Sequence, residues 1–415
     1  MTSPLLKPAD GAAPGARHLA GDALALALRD SRAQTWACVQ DLSGAQWLPP
    51  CREGINPIAW ELGHLTWFAE YWVLRAPHAR DAAGFATSQT APRFGSPDAH
   101  FDSARSAHVK RWEIALPSRA SLQSLMQAQL EACIETIPDS GTGFYHHRLA
   151  LFHEDMHAEA LRWMRSSLGY SAPAGLLQPR NHPQGQVELA GGPLATGRLL
   201  SAEEDAASKV DQTSLPDFVF DNEIGTQTYN LAPFTIDSAP LSAGEFSRFV
   251  EAGGYDNPAF WPGDAGVWRA NFGFSHPETW RKASDGTWQQ RWFDHYLPLE
   301  PMGPVIHVNA FEAEAYCQWA KRRLPRAAEW EYAALQSKHF HWGHSVWEWT
   351  ADNFAPYPGF TPGPYREYSA PWFGNHRELR GGSFATHARM HHVHYRNFFM
   401  PQRSDIFAGF RTVAL

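Results

Sequence analysis

Cysteine is scarce in this chain of 415 residues: Cys38, Cys51, Cys133 and Cys317 are scattered, and none forms a Cys-x-x-Cys pair. That scatter argues against both a disulfide scaffold and a cysteine-held zinc site. Long apolar runs are missing as well, so nothing approaches the roughly 20 residues of a membrane-spanning helix. The opening "MTSPLLKPADGAAPGAR" lacks the apolar core of a signal peptide. Rich in Pro, Gly and Ala, residues 1–17 read as a disordered lead-in. Positive charge is in deficit, with a net charge of −8 and a pI near 6.2. Nucleic acid and anionic membrane are therefore not the expected partners. No fixed-period repeat is present. Together these absences describe a cytoplasmic globular protein, long enough for two or three domains.

Tryptophan and histidine are in excess, at 18 and 21 residues. Trp is costly to leave exposed and His is the commonest metal ligand, so the pair points to an aromatic-walled, His-rich site. Residues 18–170 have helical texture. Helical periodicity runs through His18–Leu42, Asn56–Arg75, Pro117–Ile137 and Phe144–Gly169. Asn56-Pro57 opens the second helix, Ser118 caps the third and Gly169 closes the fourth. Four such helices predict a bundle whose sites form from inward-facing side chains. Residues 171–185, rich in Pro and Gly, predict a linker. From 186 to 415 the segments become short, with many Gly, Pro, Trp and Phe. They predict short strands, long loops and a helix at Asn309–Arg322, giving an α+β chain of two domains.

The fourth helix contains "FHEDMHAEA". His153 and His157, four apart, lie one above the other on one face, and His146 lies on nearly the same face. Two such histidines are as often hydrogen-bonded core residues as ligands. His64, mid-helix in "WELGHLTWF", supplies a third imidazole across a bundle. Three neutral ligands leave open positions on an ion. They also leave it the full 2+ charge, which favours deprotonation of a bound thiol or selenol. The spelling His-Glu-x-x-His also fits a zinc peptidase with Glu154 as general base. No downstream third ligand of that pattern follows, however, and under the other reading Glu154 is a second group behind the metal or on the helix surface.

Seven motifs then occur in order: "GHLTWF", "HEDMHAEA", "FVFDNE", "RLPRAAEWEYAA", "VWEWTADNFAPYPGF", "LRGGSFAT" and "YRNFF…FAGFR". Together they resemble the ergothioneine-type sulfoxide synthases, iron(II) oxygenases that join a sulfur donor to the imidazole of hercynine. The resemblance implies a DinB-like four-helix bundle followed by a C-type-lectin-like domain of the formylglycine-generating-enzyme type. It implies Fe(II) on His64, His153 and His157, with O2 as co-substrate. Formylglycine generation itself is not expected, because the paired cysteines of those enzymes are missing. Met156 stands where the sulfur enzymes carry a glutamine that contacts hercynine. Phe398-Phe399 follow Arg396-Asn397 where some carry an acidic residue for the donor. These departures resemble the selenoneine synthase branch, in which the donor is a selenosugar rather than γ-glutamyl-cysteine or cysteine.

The resemblance also implies roles for other residues. Asn397 and Arg396 are candidates for the hercynine pocket and its carboxylate. Phe398, Tyr395, Trp347 and Trp349 are candidates for cation–π contact with the trimethylammonium group. Tyr365 and Tyr368, with Tyr357 behind them, are candidates for a proton donor beside the metal, and Phe360 is an alternative occupant of that place. The donor is expected near Arg105, Lys110 and Arg111. A lectin-like domain that only binds, without chemistry, is the remaining reading.

Overall fold

The computed structural model describes residues 15–139, 143–198 and 212–415. Most of the expected lead-in lies outside those residues. Its last part does not hang free: Ala16–His18 forms a single helical turn, and Arg17 holds Glu223 through two contacts of 2.6 and 2.7 Å.

Four long helices build the first half: α1 (Gly21–Ala37), α2 (Ile58–Ala69), α3 (Arg119–Glu135) and α4 (Tyr145–Leu168). Helix α2 runs on as a π-helical turn at Glu70–Leu74. Ser118 caps α3 by accepting from the Ser121 amide, and α4 stops where Gly169 turns left-handed at φ 67°. At the start of α2 the cap position is Pro57 and no side chain caps it; Asn56 is engaged elsewhere. α1 packs on α4, and α2 packs on both α3 and α4. α2 is buried along its whole length, which explains why its sequence is apolar on all sides. None of the described helices is long and apolar enough to cross a membrane.

The second half is built on two four-stranded sheets. One has the order β3 (Arg322–Arg323), β8 (Val413–Ala414), β2 (Phe234–Asp237), β1 (Gln186–Leu189) and is antiparallel throughout. The other has the order β6 (Asn397–Phe399), β5 (Arg377–Gly381), β4 (Trp347–Asn353), β7 (Ala408–Gly409). There β4 and β7 run parallel and the remaining pairs antiparallel. The expected helix after Asn309 is α5 (Ala310–Ala320), opened by a capping box between Asn309 and Glu312.

Helix α4 belongs to both halves. Glu159 accepts hydrogen bonds from Trp347 Nε1 (2.9 Å), Ser383 Oγ (2.6 Å) and Thr386 Oγ1 (2.7 Å) of the second domain. Asp155 accepts from Ser31 of α1 (2.7 Å) and from Arg389 of the second domain (2.5 Å). The "RGGSFAT" stretch is therefore a docking loop for α4.

Candidate metal centre

His64 on α2 and His153 and His157 on α4 bring one ring nitrogen each within 4.8 Å of the others. His64 and His153 are buried and His157 is partly open. Each ring has its own support. His64 Nδ1 pairs with the Phe101 carbonyl at 2.7 Å, and His157 Nδ1 with Glu61 Oε2 at 2.6 Å. That leaves the Nε2 atoms of His64 and His157 for the cluster. His153 stacks on Phe68 with ring centroids 3.4 Å apart and planes 3° apart, while Trp60 stacks on His64 at 5.0 Å. Gly63 makes the Phe101 contact feasible, because a Cβ there would lie 2.2 Å from the Phe101 ring. Burial holds the His64 imidazolium down at about 3 and pushes His153 well below its ordinary value. Both rings are therefore neutral at pH 7, the state a metal ligand requires. Three convergent imidazoles, those of His64 and His157 anchored through their far nitrogens, fit a divalent transition metal.

Glu154 faces away from this cluster. Its carboxylate is buried against Arg32, with contacts of 2.6 and 3.1 Å, and Arg32 also donates to Gln129 (3.0 Å) and the Met126 carbonyl. Neither a general base nor a surface group, it is half of a buried ion pair. His146 is also apart from the cluster, packing 5.9 Å from Trp72.

The tyrosines of the loop after β4 come back over the cluster. Tyr365 sits edge-on to His153 at 6.2 Å and to Phe68 at 5.0 Å. Burial, with Glu367 and Asp102 nearby, pushes its phenol well above the ordinary range. Tyr368 lies next to it at 6.2 Å, packs on Phe220 at 4.6 Å and shares a hydrogen bond of 3.2 Å with the Tyr395 hydroxyl. Tyr395 in turn donates to Met156 Sδ at 3.4 Å and lies 5.6 Å from Trp347. A line of Tyr365, Tyr368 and Tyr395 thus runs from His153 through the second domain and returns to α4 at Met156. Tyr357 lies elsewhere, under the Arg396 guanidinium at 4.1 Å, and Phe360 packs on Phe373.

Strand pairing separates the candidates on β6. Asn397 pairs with Leu379, which pairs with Trp349, so Asn397 shares the face of Trp347 and Trp349. Phe398 is on the opposite face, stacked on Phe354 at 4.1 Å. Trp349 is fully buried, with its N–H on the Val308 carbonyl. Arg396 is buried and makes four bonds inside its own domain, two to Glu378 and one each to the carbonyls of Asn222 and Ala355. It acts as a strut of the sheet, and the expectation that it meets a substrate carboxylate has no geometric support.

The cations named for the donor, and Arg403, are engaged with groups of their own. Arg105 is exposed and holds Asp102, Lys110 holds Glu113, and Arg403 holds Asp405 through two contacts. Arg111 donates to Asn56 Oδ1 at 2.8 Å and to the Ser106 carbonyl at 3.3 Å. Glu61, Asn56 and Phe101 are site residues that the sequence reading passed over. Glu61 carried a signal, as a lone carboxylate in an otherwise apolar helix.

Comparison with known proteins follows this division. The DinB superfamily pattern matches residues 27–161, and that of the Sulfatase-modifying factor enzyme 1-like domain matches 174–345 and 343–414. A hercynine oxygenase of Mycolicibacterium smegmatis is 28% identical over 414 residues, covering 86% of this chain and 90% of that protein. A formylglycine-generating enzyme of Streptomyces coelicolor is 26% identical over 306 residues, covering 58% of this chain and 91% of that protein. Among solved structures, PvdO from Pseudomonas aeruginosa aligns at a TM-score of 0.34 and 15% identity, over 55% of this chain and 93% of its own.

Proposed function

The chain belongs to the Sulfatase-modifying factor enzyme 1-like domain family and, with its DinB-superfamily bundle, to the ergothioneine-type sulfoxide synthases; on that premise we propose that it is an iron(II)- and O2-dependent enzyme acting on hercynine. The observation that carries this reading is the three-histidine cluster walled by aromatic residues from both domains. His64, His153 and His157 would hold the iron, which when bound supplies redox chemistry with O2 and a soft site for a chalcogenolate. The net reaction joins the chalcogen to the imidazole carbon. One oxygen atom goes to the chalcogen, and the other leaves as water with the imidazole and chalcogen hydrogens.

The protein's own side chains account for binding and proton control. Tyr395, Tyr368 and Trp347 offer ring faces to a trimethylammonium group, each worth about 0.5–2 kcal/mol. Asn397, on the same sheet face as Trp347, offers an amide to the hercynine carboxylate. Tyr365, kept protonated by burial beside His153, is a hydrogen-bond or proton donor and not a base. Holding both substrates in one closed site removes several kcal/mol of barrier.

For the donor, the reading is a selenosugar. A γ-glutamyl-cysteine donor brings two carboxylates, whereas of the cations named for it Arg105 and Lys110 are engaged in exposed ion pairs and Arg111 is tied to Asn56 and Ser106. Met156 accepts a hydrogen bond where a glutamine would donate one. The test is to incubate protein, Fe(II), O2 and hercynine with a selenosugar or γ-glutamyl-cysteine and identify adducts by mass spectrometry. A selenium adduct in preference is expected. Preference for the thiol replaces the donor assignment, and no adduct with either removes the activity.

A further inference from the structure

We infer that Arg111, Asn56 and Glu61 form a positioning chain that orients His157 and ties it to the loop at residues 106–112. The inference rests on the three histidines being metal ligands, and it concerns residues that touch no metal themselves. The chain is continuous. Arg111 Nη1 donates to Asn56 Oδ1 at 2.8 Å, Asn56 Nδ2 donates to Glu61 Oε1 at 2.5 Å, and Glu61 Oε2 pairs with His157 Nδ1 at 2.6 Å. Arg111 Nη2 reaches back to the Ser106 carbonyl, so the guanidinium is fixed to its own loop. The same guanidinium lies 3.8 Å over the Trp60 ring, and Trp60 is stacked on His64 with planes 6° apart. One cation thus braces the surroundings of two of the three imidazoles by separate routes.

Two details argue that this is more than packing. Glu61 is 2% exposed and is the one carboxylate within α2, and a buried carboxylate is costly where an aliphatic side chain would pack. Asn56 precedes the first turn of α2, where its side chain could cap the helix. Instead the amide turns to Glu61 and Arg111, and the helix start is left without a side-chain cap. The outcome is an asymmetric ligand set. His64 leans on a neutral carbonyl and His157 on a carboxylate. A carboxylate on the far nitrogen fixes tautomer and ring plane and makes the imidazole a stronger donor.

The test uses full-length protein stripped of metal and titrated with Co(II) against a chelator. Glu61→Gln is expected to weaken Co(II) binding roughly 10–100-fold and to shift the cobalt visible spectrum. Asn56→Ala, at a partly exposed position, is expected to move both in the same direction by less. The double variant is expected to be no weaker than Glu61→Gln alone, since links in series are not additive. Metal should also slow amide exchange at residues 106–112 in the parent protein and not in Asn56→Ala. Circular dichroism separates misfolding from these effects; if Glu61→Gln does not fold, Asn56→Ala decides alone. Unchanged affinity and spectrum in folded variants overturn the chain, as do fully additive losses. His157→Ala tells the two levels apart: if it still binds Co(II) normally, the metal site itself is wrong, whereas if it alone loses Co(II), only the chain is.

Discussion

Replacing Glu154 by alanine separates two meanings of the His-Glu-x-x-His spelling. In the structure Glu154 and Arg32 have side chains only 5% and 4% exposed and meet at 2.6 and 3.1 Å. Removing the acid leaves a buried guanidinium with two neutral acceptors, Gln129 Oε1 and the Met126 carbonyl. Breaking one partner of a buried pair costs about 3–5 kcal/mol. At roughly 2–4 °C per kcal/mol for a domain of this size, the bundle should melt about 10 °C earlier. Replacing both partners with apolar residues, Arg32→Met with Glu154→Leu, should recover most of that loss. The assay is urea or thermal unfolding followed by far-UV circular dichroism, with metal content measured in parallel. Below the unfolding transition, metal binding should be unchanged. A Glu154→Ala protein with parental stability and no activity would refute this account and revive the general-base reading.

Tyr365→Phe should leave melting within about 1 kcal/mol of the parent, as one hydrogen bond commonly does, while turnover falls about 10²–10⁴-fold if the phenol serves as acid; equal turnover counts against that role. Gly63→Ala puts a methyl where the Phe101 ring lies at 2.2 Å, so it should weaken metal binding and destabilise by about 1–3 kcal/mol, read by the same titration and melt. His307 is buried and held neutral, its pKa pushed down to about 4 by burial and by Arg291. Its folded value is below the unfolded one, so its stabilising contribution is present above about 6.5 and is lost as pH falls toward 4. The loss is on the order of 3 kcal/mol. His307→Asn, which tolerates the left-handed φ of 63°, should flatten urea midpoints across that window, and an unchanged pH profile would count against the assignment.

How much of this was legible from the chain varies with the kind of signal. His153 and His157 were readable because helical spacing dictates which residues share a face. His64 needed only the assumption of a bundle. The two-domain architecture followed from the change in texture near residue 171. Glu154 misled because its place on the helix is set by Arg32, 122 residues away. Asn56 read as a cap by local chemistry, and a tertiary partner overrode it. On β6, alternation alone would have put Asn397 and Phe398 on opposite faces, but a strand of three residues gives too short a pattern to read. Trp347 was read only as a substrate wall, and the sequence carried no sign that its indole N–H also fastens the domains at Glu159.

That fastening has an evolutionary corollary. Helix α4 presents the clustered histidines at 153 and 157 and domain contacts at 155, 159 and 162, the last through Arg162 to the Ala385 carbonyl. Ligand and docking positions interleave on one rigid rod, so a rotation that improves one displaces the other. The two halves are therefore not exchangeable modules. A bundle taken from one relative and a lectin-like half from another would inherit mismatched α4 faces, and a functional hybrid would need the whole helix to travel with its docking loop.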